Sequence, residues 1–169
     1  HIVANIESNK GEFHTQCISL YPRIELLKNQ FADVYKETRN LDDHLREKGF
    51  RKIIIGALYG DTPSDQKSLE QYGTWKKTST GYVCPFLKCP NGQCNGDLIW
   101  PSTFEETEIL KCLECNHEIP EDEIILTRKR MKRNPPDILF STTEMINQNL
   151  SNMSFHKLFG NRFKRSLKP

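Results

Sequence analysis

Apolar residues follow one rhythm up to about residue 80, lose it, and recover it near residue 135. Residues 15–21 (Thr-Gln-Cys-Ile-Ser-Leu-Tyr) and 51–58 (Arg-Lys-Ile-Ile-Ile-Gly-Ala-Leu) read as buried strands, the second rich in β-branched residues. Cys17, in the first, reads as a small core residue. Between them Ile24, Leu26, Leu27, Phe31, Val34 and Tyr35 recur at close to helical spacing, which predicts a helix over 24–36. A further helical stretch over 41–48 stops at Gly49. Residues 1–9 read as the end of a helix stopped by Asn9-Lys-Gly11, and 64–72 and 155–159 as short helices. After Asn134-Pro-Pro-Asp137, Ile138-Leu-Phe140 reads as a third buried strand, with Thr142 or Thr143 as N-cap of a helix over 144–150. Three short apolar strands, each followed by a helix, predict an α/β fold with a parallel sheet.

Residues 81–130 break this pattern with turns, short alternating strands and cysteines. Five of the six cysteines lie here: Cys84, Cys89, Cys94, Cys112 and Cys115. Cys112-Leu-Glu-Cys115 is a tight pair, and two turn-borne pairs are what a tetrahedral zinc site requires. Cys89 and Cys94 are the favoured partners of that pair, because Cys94-Asn-Gly-Asp-Leu-Ile-Trp is similar to the second half of a zinc-ribbon knuckle. Cys84 is the alternative ligand. Four thiolates close the coordination shell, so the expected Zn2+ is structural and no catalytic residue is assigned. A unit this small buries little core, and zinc supplies the missing free energy, of order 10 kcal/mol.

Composition adds less. The net charge is +2, too small to draw nucleic acid to the whole molecule, but a basic run over 128–133 and a basic tail over 162–168 offset an acidic stretch over 105–123. No apolar run reaches the roughly 18 residues of a membrane span. Clustered cysteines without a secretory signal favour metal over disulfides and a reducing, cytoplasmic setting. The opening His1-Ile-Val-Ala reads like a helix already under way, as in a piece of a larger domain.

In an open parallel sheet the carboxyl ends of the strands face ligands, and helix N-termini there bind phosphate. Leu20-Tyr-Pro-Arg-Ile-Glu-Leu-Leu-Lys-Asn-Gln30, Tyr59-Gly-Asp-Thr62 and Ser141-Thr-Thr-Glu144 occupy three such ends. Hydroxyls, backbone amides and helix starts are the groups that hold a nucleic-acid backbone.

In this order the segments resemble the first RecA-like domain of superfamily-two DEAD/DEAH-box helicases. The first is similar to the Pro-Thr-Arg-Glu-Leu segment, motif Ia, through Pro22, Arg23, Glu25, Leu26 and Gln30. Leu58-Tyr-Gly-Asp-Thr-Pro63 is similar to the glycine-bearing motif after the next strand, and Pro135-Pro-Asp-Ile-Leu-Phe-Ser-Thr-Thr-Glu-Met-Ile146 to motif Ib. The order of segments also resembles large bacterial helicase-like proteins, several from phage-defence systems, with a cysteine-rich insertion at this place. The resemblance implies a partial RecA-like sheet over 1–80 and 131–169 and a zinc-ribbon insertion over 81–130. It implies a DNA or RNA backbone as partner, gripped by Arg23, Gly60, Thr142 and Thr143, beside the remaining helicase domains of a parent chain.

The chain departs from the family in having no Gly-x-x-x-x-Gly-Lys-Ser/Thr loop and no Asp-Glu-x-His/Asp motif. ATP and Mg2+ are therefore expected only in a complete parent, and this chain by itself should neither bind ATP productively nor hydrolyse it. The competing expectation is a stand-alone zinc-ribbon module that binds nucleic acid or protein through Arg128, Lys129, Arg130, Lys132 and Arg133.

Overall fold

The computed structural model describes residues 2–8, 13–103 and 107–159; the basic tail, Glu105, Glu106 and the helix stop at 9–11 lie outside them. Two sheets organise the chain. The strands β1 (Cys17–Tyr21), β2 (Ile55–Leu58), β7 (Ile124–Ile125) and β8 (Ile138–Thr142) form a parallel sheet in the order β1-β8-β2-β7. The strands β3 (Gly81–Lys88), β4 (Asp97–Pro101), β5 (Leu110–Cys112) and β6 (Glu118–Ile119) form an antiparallel sheet in simple succession. The fold is thus mixed α/β, with helices on the parallel sheet and an antiparallel ribbon beside it.

The helices cover both faces of the parallel sheet. On one face lies α2 (Ile24–Arg39), which follows the short α1 (Ile2–Ser8) and β1. It buries Leu27, Phe31 and Tyr35, positions four apart that form one stripe. Phe31 meets Phe140 of β8 and Phe86 of β3 edge-on, at 5.1 and 5.2 Å. The ribbon therefore shares the core of the sheet. Two tryptophans, Trp75 and Trp100, complete the junction at 6.0 Å. On the opposite face Met131 of α4 (Arg128–Arg133) and Met145 of α5 (Thr143–Asn149) pack with Leu58, Ile125 and Leu139. Gly56 makes this close approach possible: a Cβ there would stand 3.2 Å from both Met131 Cε and Pro136 Cγ. The remaining helix, α3 (Asp42–Glu47), anchors the return to β2 through buried Leu45.

The structure adds a fourth parallel strand that the sequence pattern does not show. β7 is two residues long, too short for any periodicity, and pairs Ile55 with Ile124 and Gly56 with Ile125. It also corrects the reading of residues 15–21 as a buried strand. Among the described residues β1 is an edge strand paired only with β8, so Cys17 is exposed rather than in the core, and Ile18 and Leu20 are 40% and 48% accessible.

At the amino edge of the parallel sheet, charges close on two buried carboxylates. Asp137, 1% exposed, accepts from Arg51 at 2.6 and 2.7 Å, from the Ile54 N–H at 2.9 Å and from Gln16 at 3.0 Å. Its own carbonyl accepts the N–H groups of Gln16 and Cys17, so one residue ties β1, β2 and β8 together. Glu123 accepts from Tyr35 at 2.5 Å and Lys52 at 2.7 Å and lies 3.2 Å from Arg39.

Candidate metal centre and strand-facing edge

The ribbon turns bring four thiols together. The Sγ atoms of Cys89, Cys94, Cys112 and Cys115 all lie within 4.8 Å of one another. Cys89 to Cys115 is 3.5 Å and Cys94 to Cys112 is 3.6 Å. A disulfide needs about 2.05 Å, so these are not covalent pairs. Sulfurs at about 2.3 Å from one ion stand about 3.8 Å apart in a regular tetrahedron, and the two shortest separations fall near that value. The residues present fit a metal ion.

Local backbone chemistry explains how the turns reach this geometry. The second cysteine of each pair is followed by an asparagine in the left-handed region, Asn95 at φ 47° and Asn116 at φ 58°. Asparagine tolerates that conformation better than most residues. Gly96 sits so close behind the site that a Cβ would fall 3.0 Å from Cys112 Sγ and 2.5 Å from Glu114 Cγ. Polar hydrogens point at the sulfurs: Asn91 Nδ2 donates to Cys115 at 3.6 Å and the Glu114 N–H to Cys112 at 3.4 Å. The bond from Asn91 and the His117 backbone N–H bring the Cys115 thiol down to about 6, toward the thiolate that a metal requires. Burial and the neighbouring thiols push Cys89 up to about 12, a proton that metal binding would displace.

Cys84 stays outside the group. It is buried in β3, the strand's rise of about 3.3 Å per residue carrying it away from Cys89. Desolvation pushes its thiol up to about 12, as for an inert core cysteine. His117 is half-buried and serves through its carbonyl, which accepts the Cys112 N–H at 2.8 Å.

The carboxyl edge of the parallel sheet carries the other sequence candidates. The register places Tyr21 beside Thr142 and Ser141 beside Leu58, so Arg23, Gly60, Thr142 and Thr143 follow strands that end level. Arg23 is exposed in extended conformation before α2 and makes no side-chain cap, which leaves the first amides of a 16-residue helix unclaimed by any cap. Thr142 caps α5, accepting the Met145 N–H at 3.3 Å, and Thr143 is exposed beside it. Gly60 is exposed, with nothing within 4 Å of a Cβ built on it.

Two of the three arginines on α4, Arg128 and Arg130, are engaged internally. Arg128 donates to the carbonyls of Thr62, Tyr59 and Gly60 at 2.7, 3.1 and 2.9 Å and so clamps the loop after β2. Arg130 bonds the carbonyls of Ile124 and Glu121 and lies 3.3 Å from buried Glu108. Glu108 also accepts from the Thr127 hydroxyl and the Leu126 N–H. Burial raises its carboxyl above the ordinary range although those three partners pull it down. Nothing in the sequence pattern signals the clamp by Arg128, because its partners are 66 to 69 residues away.

Among the described residues no helix is long and apolar enough to cross a membrane. No family model, curated protein or solved structure matches the chain.

Proposed function

We propose that the chain is a zinc-stapled, strand-binding segment of a helicase-like α/β domain, holding the sugar-phosphate backbone of DNA or RNA on the carboxyl edge of its parallel sheet. The observation that carries this reading is the uncapped start of α2 beside exposed Arg23, which has no partner among the described residues, in line with the ends of β8 and β2. Open helix amides and a nearby guanidinium form a phosphate site, and the hydroxyl of Thr143 and the backbone at Gly60 extend it across the sheet. The four-thiolate donor set favours Zn2+ over harder ions, in a structural role without an open coordination position. A reducing compartment suits it. The chain lacks a phosphate loop and a magnesium-binding carboxylate motif, so ATP chemistry belongs to other domains of a parent protein.

The test is binding of a labelled single-stranded oligonucleotide to the zinc-loaded chain over a salt series. Arg23→Glu should weaken binding about tenfold or more and lower the salt slope. Charge reversal that leaves affinity unchanged would contradict the reading.

A further inference from the structure

A cavity of about 700 Å³ lies between Trp100 and Glu108 of the ribbon region, the 3-10 helix that follows β2, and α4. Its lining comes from the 3-10 helix Gln66–Gln71, from Trp100 at the end of β4, and from α4 with the residues flanking it. Thr127 and Lys129, just past the carboxyl end of β7, form part of it, so in the order β1-β8-β2-β7 the cavity continues the line that starts at Arg23.

Three lining cations, Lys67, Lys129 and Arg133, are exposed and have no acidic partner among the described residues. Lys129 and Arg133 are four residues apart and share one face of α4. The fourth lining cation, Arg130, is held by Glu108 and two carbonyls. Of the lining acids among the described residues, Asp65 caps the 3-10 helix at the Ser68 N–H and Glu108 is fully engaged, which leaves Glu121 as the free carboxylate among them. The first amides of α4 are donated to the Pro63 and Ser64 carbonyls at 2.9 and 3.1 Å. An anion here is therefore held by side chains, two ammonium groups and one guanidinium on flexible stems, a set that suits phosphate oxygens.

We propose that this cavity is a phosphate site, and that the phosphates it takes belong to the nucleic-acid strand lying on the carboxyl edge. The inference rests on the strand-binding reading above. Three strand spacings separate β1 from β7, about 14 Å, or about four nucleotides at the rise of a stacked strand. The ribbon supplies one wall, so the metal-stapled unit completes the track rather than only decorating the domain.

The experiment uses the zinc-loaded chain and a fluorescein-labelled single strand of about twelve nucleotides, followed by anisotropy from low to moderate salt. Inorganic pyrophosphate is titrated separately with tryptophan fluorescence as readout, since Trp100 lines the cavity. The combined variant Lys67→Gln, Lys129→Gln, Arg133→Gln alters exposed side chains only, and its zinc content reports that it is folded. Its strand affinity should fall about tenfold and its salt slope by about 2, one step of about 0.7 for each cation removed. Its response to pyrophosphate should disappear. If the variant binds the strand as the unaltered chain does while Arg23→Glu weakens binding, the cavity site is overturned and the edge reading survives. If the variant weakens binding while Arg23→Glu has no effect, the cavity takes phosphates but the strand does not lie on the edge, and the edge reading falls together with that part of the proposal. A folded, zinc-loaded chain that binds neither probe overturns both.

Discussion

At the amino edge of the parallel sheet, Arg39, Arg51 and Lys52 converge on Glu123 and Asp137, and Tyr35, Gln16 and backbone amides complete the acceptors. At the carboxyl edge, Arg23 stands in solvent, α2 begins without a cap, and Thr143 is open. The two edges use similar residue types and differ in whether the partner is inside the molecule. Where the partner is present, charge holds strands in register; where it is missing, the same groups are available to a ligand. Arg128 marks the boundary, since it lies at the carboxyl edge but spends its donors on the loop after β2.

Perturbations separate the two edges by size of effect. Withholding metal from the four-thiol site with a chelator should act most strongly, because a structural zinc there would contribute of order 10 kcal/mol. Hydrogen exchange should show β3–β6 losing protection while β2 and β8, joined at Asp137, keep theirs longest. Simultaneous loss everywhere would mean that the sheet cannot stand without the ribbon. Asp137→Ala comes next: it leaves Arg51 and the Ile54 amide without their acceptor and should cost about 3–5 kcal/mol in urea unfolding.

Acid tests the other amino-edge carboxylate. Burial pushes Glu123 up, but the hydrogen bonds from Lys52 and Tyr35 and the charge of Arg39 outweigh it, so its carboxyl sits below the ordinary 4.5. A depressed folded value means that its stabilisation is full above 4.5 and is lost as pH falls through the folded value. Tyr35→Phe removes one of those bonds, should cost about 1 kcal/mol at neutral pH, and should move the acid unfolding midpoint upward. Arg23→Ala should change stability by no more than about 0.5 kcal/mol while reducing strand affinity. A large loss of stability there would place Arg23 with the amino-edge cations instead.

Much of this architecture can be read from the chain. The β-branched run before Leu58, the helical spacing from Ile24 to Tyr35 and the Thr142 cap all appear in the structure, because each depends on local propensity and period. The paired spacing of the cysteines points to the four thiols that meet, and the asparagine after Cys94 and after Cys115 is a further signal visible in hindsight. What the sequence could not show depends on distant partners. Arg51 and Asp137 are 86 residues apart, and Arg128 reaches carbonyls 66 to 69 residues away, so a basic run that looks free is partly structural. Cys17 and its apolar neighbours pass for core because hydrophobicity alone does not say which strand lies at an edge.

The most direct test is amide hydrogen exchange of the zinc-loaded chain with and without a saturating single strand. Protection should rise at residues 22–26, 59–62 and 142–145, on the carboxyl edge, and remain unchanged at 51–54 and 135–138, on the amino edge. Added protection confined to the amino edge, or an unchanged pattern under saturating strand, would contradict the assignment of the carboxyl edge as the binding face.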